Sequence, residues 1–172
     1  MEIINATTKD LNEIVELGTK TYIQHFSNIW TQSGLNEYLK YHFDKETIKS
    51  SIKNETAQYL LVSNSFGSFV GYAKINWDVN IPFSQYRGAE LQKIYFLENY
   101  TGKGLGTLLL NHCINLAKER NDKYIWLDVL KSNLKAMKLY EKHNFLQYAE
   151  DEVRTDKGKI GIVLMKRELK SN

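Results

Sequence analysis

The spacing of apolar residues along the chain predicts short strands and helices in alternation. In the first third, helical spacing predicts three helices, of which the first is capped by Thr8 and ends near Asn28. The second follows Ser33-Gly34 and the third follows Asp44. A short strand at Ile3-Ile4 precedes them, so this part of the chain is expected to be mainly helical.

Period-two alternation marks the middle of the chain. It predicts a hairpin made of residues 59–63 and 69–77, followed by an irregular link at residues 78–87. A strand at about residues 90–97 and a long helix at about residues 104–120 come next.

The run at residues 124–129 is nearly all apolar, as in a strand that is covered on both faces. Because a long helix separates it from the preceding strand, the two strands are predicted to run parallel. A further helix is expected to open at Ser132 or Asn133 and to end near His143.

The end of the chain is predicted to form a closing hairpin, with strands at 145–149 and 160–166 around a polar segment at 150–159. The complete order, β-α-α-α-β-β-β-α-β-α-β-β, describes an α/β fold in which helices flank a mixed β-sheet. With 172 residues, the chain is expected to form a single domain over residues 1–172.

Composition narrows the kind of protein and its surroundings. The 23 basic and 20 acidic residues are mixed along the chain and leave a net charge of +3, which gives little reason to expect nucleic acid as a partner. No apolar stretch approaches membrane-spanning length and no leader-like segment opens the chain, so a soluble, cytoplasmic protein without a membrane partner is expected. The single cysteine, Cys113, is expected to be a buried thiol. The four histidines lack the spacing of a metal site, so no metal is expected.

A glycine-rich stretch, Tyr100-Thr101-Gly102-Lys103-Gly104-Leu105-Gly106-Thr107, stands between the strand at 90–97 and the long helix. Its glycines let the backbone approach a ligand, and free amides at a helix N-terminus favour an anion such as phosphate. Lys103 adds a positive charge. The order of its residues fits neither the dinucleotide-binding motif G-x-G-x-x-G nor the P-loop motif. A plain turn without a ligand is the alternative to an anion-binding loop.

At Gly104 and Gly106 this stretch resembles Q/R-x-x-G-x-G/A, the loop that binds the pyrophosphate of acyl-CoA in the GNAT superfamily of N-acyltransferases. Thr101 departs from the pattern, since the family usually has glutamine or arginine there.

A second stretch resembles the family pattern N-x-x-A-x-x-F/Y-Y-E/K-x-x-G-F. It matches at Asn133, Ala136, Tyr140, Glu141 and Phe145, and it departs at Leu139 and Asn144. Asparagine is the next-best residue after glycine in the left-handed conformation, so Asn144 is expected to end the helix in that conformation.

The resemblance implies the GNAT fold, with a central splayed mixed sheet, and acetyl-CoA as the co-substrate. It implies that the pantetheine arm pairs with the main chain of Ile94, Tyr95 and Phe96 as an extra strand would. Further cofactor contacts are expected from Thr101, Gly102, Lys103, Gly104, Leu105, Gly106, Thr107, Asn133 and Tyr140. For Asn133, capping of its helix is a second and compatible role.

Acetyl transfer to an amine needs one group that removes a proton from the amine and another that protonates the leaving thiolate. Glu90 is one candidate base, acting through a water, and an ion pair with Arg87 is the structural alternative. Asp128 is the other candidate base, because it interrupts an apolar strand near the end where ligands collect. The resemblance implies that Tyr140 is the acid, and the alternative is a core tyrosine.

Four aromatic residues are expected to line the acceptor site, namely Trp30, Tyr38, Trp77 and Tyr86. For Trp30, packing against a neighbouring residue is the alternative. The leading hypothesis is acetyl transfer to the primary amine of a small molecule. A similarity to small bacterial diamine and polyamine acetyltransferases suggests a polyamine such as spermidine or spermine.

Two other functions stay open: acetylation of a protein N-terminus or lysine, and non-catalytic sensing of acyl-CoA. The closing strands of such folds often pair between subunits, so a homodimer is a further expectation.

Overall fold

The structure is a computed structural model that describes residues 1–169. The helices are α1 (Leu11–Phe26), α2 (Gln32–His42), α3 (Lys45–Lys53), α4 (Leu105–Glu119) and α5 (Leu134–Lys142). The strands are β1 (Glu2–Asn5), β2 (Ala57–Ser63), β3 (Phe69–Asn80), β4 (Arg87–Phe96), β5 (Tyr124–Leu130), β6 (Leu146–Thr155) and β7 (Gly158–Glu168). This order confirms the order predicted from the sequence. Within residues 1–169, no helix is long and apolar enough to cross a membrane.

The strands form a mixed seven-stranded sheet in the order β1-β2-β3-β4-β5-β7-β6. Neighbouring strands are antiparallel except β4 and β5, which are parallel as predicted. This parallel pair meets only where Ala89 lies opposite Ile125 and Glu90 lies opposite Trp126, although both strands continue beyond those residues. The sheet therefore splays apart between β4 and β5, as the resemblance implied, and we call the opening the split.

Each face of the sheet carries an apolar core, and a smaller third cluster is made of Ile81, Tyr124, Trp126 and Leu164. On the first, which we call the α4 face, Leu109 and Cys113 of α4 are fully buried against the strands. On the second, which we call the α1 face, Ile14 of α1 and Ile48 of α3 pack in one cluster with Tyr72 of β3. Because side chains alternate along a strand, β3 contributes to both cores, with Ala73 on the α4 face and Tyr72 on the α1 face.

The predicted start of the first helix is wrong. α1 begins at Leu11 and not after Thr8, because the chain first makes a tight turn. In that turn the Asp10 carboxylate accepts hydrogen bonds from the amide and the hydroxyl of Thr7, at 2.7 and 2.9 Å.

The predicted junction between the first two helices is also wrong. α1 ends at Phe26 and not near Asn28, because a short 3₁₀ turn follows it. α2 already begins at Gln32, because the Thr31 hydroxyl caps it by accepting a hydrogen bond of 3.2 Å from the Gly34 amide.

Two other predicted helix ends are confirmed. Asp44 caps α3 by accepting a hydrogen bond of 2.8 Å from the Thr47 amide. Asn144 follows α5 in the left-handed conformation, with φ at 60°.

The link between β3 and β4 is shorter than predicted, since β3 runs to Asn80 and β4 begins at Arg87. Asp78 lies within β3 where the register with β4 shifts, and its φ is 52°. The Asp78 carboxylate accepts a hydrogen bond of 2.6 Å from the Arg87 guanidinium. Arg87 thus pairs with Asp78 and not with Glu90.

The closing hairpin is longer than predicted. β6 and β7 take up most of the segment 150–159 and turn only at Asp156 and Lys157. The sequence pattern predicted both strands but not their extension, because β6 is the outer strand of the sheet and is largely exposed, so no apolar alternation marks its second half.

Candidate active site

The split leaves one edge of β4 without a partner strand. Beyond Glu90, β4 no longer pairs with β5, whereas Ile94, Tyr95 and Phe96 still pair with β3 along the opposite edge. The edge that faces the split therefore has backbone groups that can pair with an extended ligand, although the Phe96 carbonyl already lies 2.7 Å from a ring nitrogen of His25.

β4 also carries a β-bulge at the split. Lys93 lies opposite Lys74 and Leu91 lies opposite Ile75, so Gln92 is the extra residue between them. Among residues 1–169, the side-chain oxygen of Gln92 is buried and has no hydrogen-bond partner.

We call residues 101–107 the phosphate loop. Gly102 and Gly104 have φ of 77° and 79°. A Cβ on Gly104 would meet no atom within 4 Å, so it is the backbone conformation and not crowding that requires glycine there. The amides of residues 102–107 make no hydrogen bond within residues 1–169. Free amides at the start of α4 are the donors that an anion requires.

The side chains of the phosphate loop contribute in different ways. The Thr101 amide and hydroxyl both donate to the Glu98 carbonyl, at 3.0 and 2.9 Å, so Thr101 holds the loop in shape. Leu105 packs its side chain against the α4-face core and leaves only its amide to a ligand. The Lys103 ammonium lies 5.2 Å from the centre of the Tyr100 ring.

A basic groove of about 450 Å³ lies beside the phosphate loop, between the first turn of α4 and α5. It is lined by Thr107, Lys135, Lys138, Leu139, Lys142 and His143. The Lys135 ammonium lies 3.7 Å from the position that a Cβ on Gly102 would take, so its charge reaches the loop. These lysines were not predicted from the sequence, although the spacing of three and four residues between Lys135, Lys138 and Lys142 places them on one face of a helix.

Tyr140 and Asn133 come from the helix that borders this groove. Tyr140 is 7% exposed, and burial together with the nearby charge of Asp128 raises the pKa of its phenol, which therefore stays protonated at neutral pH. The Asn133 side chain accepts a hydrogen bond of 3.1 Å from the Ala136 amide, so Asn133 caps α5 as predicted.

The two predicted carboxylates lie on the α1 face, one on each side of the split. The Glu90 carboxylate accepts a hydrogen bond of 2.6 Å from the Asn76 side chain, and burial raises its pKa, with a further rise from the charge of Asp128. The Asp128 side chain is exposed to solvent in the split. The surrounding protein still removes part of its hydration, which raises the pKa of its carboxyl group, and the positive charge of Lys93 opposes this rise. Both groups are thus better proton acceptors than ordinary carboxylates.

Two lysines that the sequence analysis missed face these carboxylates. Lys93 is only 5% exposed, and its Nζ donates a hydrogen bond of 3.2 Å to the Tyr38 hydroxyl. Burial and, to a smaller extent, the neighbouring charge of Lys74 lower the pKa of Lys93 to about 8. Burial also lowers the pKa of Lys74, against the opposing effect of Glu90. We call Tyr38, Lys74, Glu90, Lys93 and Asp128 the acceptor cluster.

Aromatic rings from α1 and α2 enclose this cluster. Tyr38 stacks on Tyr22 with ring centres 4.2 Å apart, and Trp30 lies 5.2 Å from Tyr38. The Trp30 indole N–H donates a hydrogen bond of 3.0 Å to the Tyr22 hydroxyl, so Trp30 packs into the wall. Burial and the two lysines lower the pKa of His42, 4.0 Å from Tyr38, to about 4, so His42 is neutral at pH 7.

The other two aromatic residues predicted for the acceptor site lie elsewhere. Trp77 packs in the α4-face core, with the Arg120 guanidinium 4.6 Å from its ring centre. Tyr86 lies 5.2 Å from Tyr124, at the opposite end of β5 from Asp128. The structure therefore brings Trp30 and Tyr38 together and leaves Trp77 and Tyr86 apart from them.

The β6-β7 turn bridges the split. The Thr31 amide donates a hydrogen bond of 3.0 Å to the Asp156 carboxylate, which the Thr31 hydroxyl also contacts. The Lys157 ammonium donates one of 3.0 Å to the Asn28 carbonyl. A Cβ on Gly34 would lie 2.3 Å from Asp156, so the approach requires glycine. β6 and β7 pair on the β5 side, and α2 packs on the β4 side. This contact therefore joins the two sides of the split next to Trp30, whose ring lies 5.2 Å from that of Tyr38 in the acceptor cluster.

The one cysteine of the chain, Cys113, is unsuited to act as a nucleophile. Burial raises the pKa of Cys113 to about 12, so its thiol stays protonated in the α4-face core. In the part of the chain that the structure describes, no three His, Cys, Asp or Glu side chains are grouped so as to hold a metal ion.

Comparison with known proteins relates this geometry to one family. The acetyltransferase (GNAT) family matches residues 20–145. An N-alpha-acetyltransferase of Sulfolobus acidocaldarius is 31% identical over 152 residues, which cover 84% of this chain and 86% of that protein.

Solved structures share the fold. PaiA N-acetyltransferase of Thermoplasma acidophilum, in complex with coenzyme A, superposes with a TM-score of 0.75 at 19% identity and covers 98% of both chains. The spermidine/spermine N-acetyltransferase SpeG of Vibrio cholerae superposes with a TM-score of 0.69 at 18% identity, over 97% of this chain and 93% of the other.

Proposed function

Because the chain belongs to the GNAT family of acetyltransferases and is an acetyl-CoA-dependent N-acetyltransferase, we propose that its acceptor is the primary amine of a small molecule. The observation that carries this proposal is the bridge between Asp156 and Thr31, which joins the two sides of the split beside the acceptor cluster. A bridged split admits a compact acceptor more readily than a polypeptide. The charged groups of the acceptor cluster supply the acid-base chemistry that an amine needs.

Acetyl-CoA would bind along the open edge of β4. The free amides of residues 102–107 suit its pyrophosphate, and the lysines of the basic groove suit its remaining phosphate. The main chain of Ile94, Tyr95 and Phe96 would pair with the pantetheine arm. The thioester would then lie in the split between Glu90 and Tyr140.

In the proposed step, Glu90 accepts a proton from the amine through a water, and Asp128 is the alternative base. A lysine-like amine has a pKa of about 10.4, so at neutral pH it is mostly protonated and needs a base. The raised pKa of Glu90 makes this carboxylate a stronger base than an ordinary one and suits it to the role. The amine nitrogen forms a bond to the acetyl carbon as the carbon–sulfur bond breaks. Tyr140, kept protonated by burial, donates its proton to the leaving sulfur. The acetylated nitrogen then loses its second proton, which restores the Tyr140 phenol. The transfer is direct, with no covalent enzyme intermediate.

The proposal is tested by the release of free thiol from acetyl-CoA across a panel of small primary amines and short peptides. We expect turnover with at least one small amine, and product mass should increase by one acetyl group. Turnover confined to peptides would overturn the small-molecule proposal. If no amine or peptide is acetylated while coenzyme A still binds, the chain is a non-catalytic acyl-CoA sensor.

A peptide N-terminus is the second candidate acceptor, because the 31% identical relative is named an N-alpha-acetyltransferase. If the bridge excludes peptides, Asp156→Ala should raise kcat/KM for a short peptide and leave kcat/KM for a small amine nearly unchanged. Asp151→Ala, in the exposed part of β6, is the matched control.

A polyamine is a narrower candidate within the small-molecule class. The carboxylates of Glu90 and Asp128 support it, whereas the ammonium groups of Lys74 and Lys93 oppose it. Spermidine and spermine belong in the amine panel, and thiol release no faster than with buffer would remove this candidate.

A further inference from the structure

Lys93 is the one charged side chain within residues 1–169 that is almost fully buried, at 5% exposure. A lysine that serves only for packing usually extends its ammonium to water. Lys93 does not, and no carboxylate of the described residues lies within 4.0 Å of its Nζ. Its hydrogen bond goes to the neutral hydroxyl of Tyr38. An ammonium has more N–H donors than this single bond uses, so Lys93 keeps donors for another acceptor.

Aromatic rings stabilise the charge of Lys93 without satisfying those donors. The ring centres of Tyr22, Tyr38 and Phe43 lie between 5.7 and 6.0 Å from the ammonium. Attraction between a cation and the face of a ring offsets part of the cost of burial. The rings hold the ammonium on the α1 face beside the split.

A second lysine strengthens the positive charge at this place. Lys74 lies directly opposite Lys93 on the neighbouring strand, and like charges in that position repel each other. The carboxylates of Glu90 and Asp128 lie near enough to raise the pKa of Lys93, but neither forms an ion pair with it. The positive charges of the two lysines balance the negative charges of the two carboxylates. The cluster therefore has no excess negative charge to bind the second ammonium group of a diamine.

We propose that the acceptor carries a carboxylate as well as its primary amine, as an amino acid does, and that Lys93 binds this carboxylate with help from Lys74. The amine then faces Glu90 and Asp128. This inference rests on the proposed function, because it names the acceptor class for the same site. A zwitterionic acceptor preserves the charge balance of the cluster, whereas a diamine adds positive charge beside two lysines.

Matched acceptor pairs test the inference. Ornithine and putrescine, lysine and cadaverine, and tyrosine and tyramine differ within each pair only by the carboxylate. At pH 7, thiol release by the wild-type protein should give a kcat/KM about 10- to 100-fold higher for the carboxylate member of at least one pair. The Lys93→Met variant, which keeps the length of the side chain and removes its charge, should lose most of that preference.

Two variants control for structural effects. Lys93→Arg keeps the charge and should keep part of the preference, and Lys9→Met removes an exposed lysine outside the site and should change nothing. Circular dichroism verifies that each variant is folded. If Lys93→Met does not fold, the test uses the ratio of kcat/KM within each acceptor pair for the wild-type protein and for Lys74→Met. Lys74→Met should lose less of the preference for the carboxylate member than Lys93→Met would.

The outcomes separate this inference from the proposed function. Thiol release that is equal within pairs, or faster with the carboxylate-free amines, would overturn the inference and leave the small-molecule proposal standing. A preference that persists in folded Lys93→Met would also overturn it. If no small amine of any kind is acetylated, the proposed function fails and the inference fails with it.

Discussion

The phosphate loop is one continuous piece of chain, whereas the acceptor cluster draws its side chains from α2, β3, β4 and β5. The loop offers backbone amides, which every residue other than proline possesses. The cluster offers side chains whose chemistry depends on burial and on one another. The loop can therefore bind the same group despite a departure such as Thr101, while a single substitution in the cluster can change the acceptor.

Substitutions in the two regions should consequently impair different properties of the enzyme. Changes in the loop or the basic groove should affect the affinity for acetyl-CoA, and changes in the cluster should affect turnover or acceptor choice. Both regions must act together at Tyr140, so the largest effect is expected there.

Tyr140→Phe should lower kcat by about 10²- to 10⁴-fold, because the sulfur loses its proton donor. Tyr140 lies on α5 beside the basic groove, and Asp128 of the acceptor cluster affects its pKa. Calorimetry should find the affinity for coenzyme A unchanged, since no phosphate contact is removed. Tyr41→Phe, at a tyrosine that is 76% exposed, is the matched control. Unchanged kcat in Tyr140→Phe would remove Tyr140 as the acid.

Glu90→Gln should lower kcat/KM by about 10²-fold, and Asp128→Asn by less, if Glu90 is the base. The raised pKa of Glu90 gives this prediction a pH signature. Since only the ionised carboxylate accepts a proton, wild-type kcat/KM should fall as the pH drops through a value above the ordinary pKa of about 4.3. Glu90→Gln should abolish this fall, and the exposed Glu46→Gln on α3 should keep it. A larger loss in Asp128→Asn would instead make Asp128 the base.

Gly104→Ala should raise the dissociation constant of coenzyme A by about tenfold, because an L-residue in the left-handed conformation costs ~1–2 kcal/mol and the loop relaxes away from it. KM for the acceptor should change little. Gly67→Ala is the matched control, since Gly67 has φ of 81° with no atom within 4 Å of a Cβ, but lies in the β2-β3 turn. Equal effects of both variants on coenzyme A binding would mean that strain, and not the position of the loop, is being measured.

Lys138→Ala should raise KM for acetyl-CoA by about 1.4- to fivefold, the amount expected when one solvent-screened charge contact of ~0.2–1 kcal/mol is lost. The effect should shrink as ionic strength rises, because salt screens the contact. Lys118→Ala, near the far end of α4, should leave KM unchanged at every salt concentration. An effect that does not depend on salt would argue against a phosphate contact in the basic groove.

Local patterns were sufficient for much of the fold. The strand, glycine-rich loop and helix around Gly104 could be predicted because turn chemistry and helical spacing act over a few residues. The same reasoning found Asp128, a charged residue in an apolar strand. Local patterns gave too short a length for β6, whose exposed residues leave no apolar pattern, and the wrong start for α1, where the Asp10 carboxylate accepts a hydrogen bond from the Thr7 amide.

The aromatic residues show the limit of such patterns. Trp30 and Trp77 looked alike in the sequence, yet Trp30 joins the wall around the acceptor cluster and Trp77 packs on the opposite face of the sheet. Which face a strand residue occupies depends on registers and bulges, which long-range pairing fixes.

The sequence by itself determined the order of the elements, the loop with its free amides and the family, because each of these is encoded by residues that are near one another in the chain. Only the tertiary structure decided that Lys93 is buried, that it lies beside Lys74, and that Asp156 closes the split. The physical reason is that burial and electrostatic environment depend on whatever packs around a side chain. For Lys93, those neighbours include rings that α1 and α2 supply from about fifty or more positions earlier in the chain.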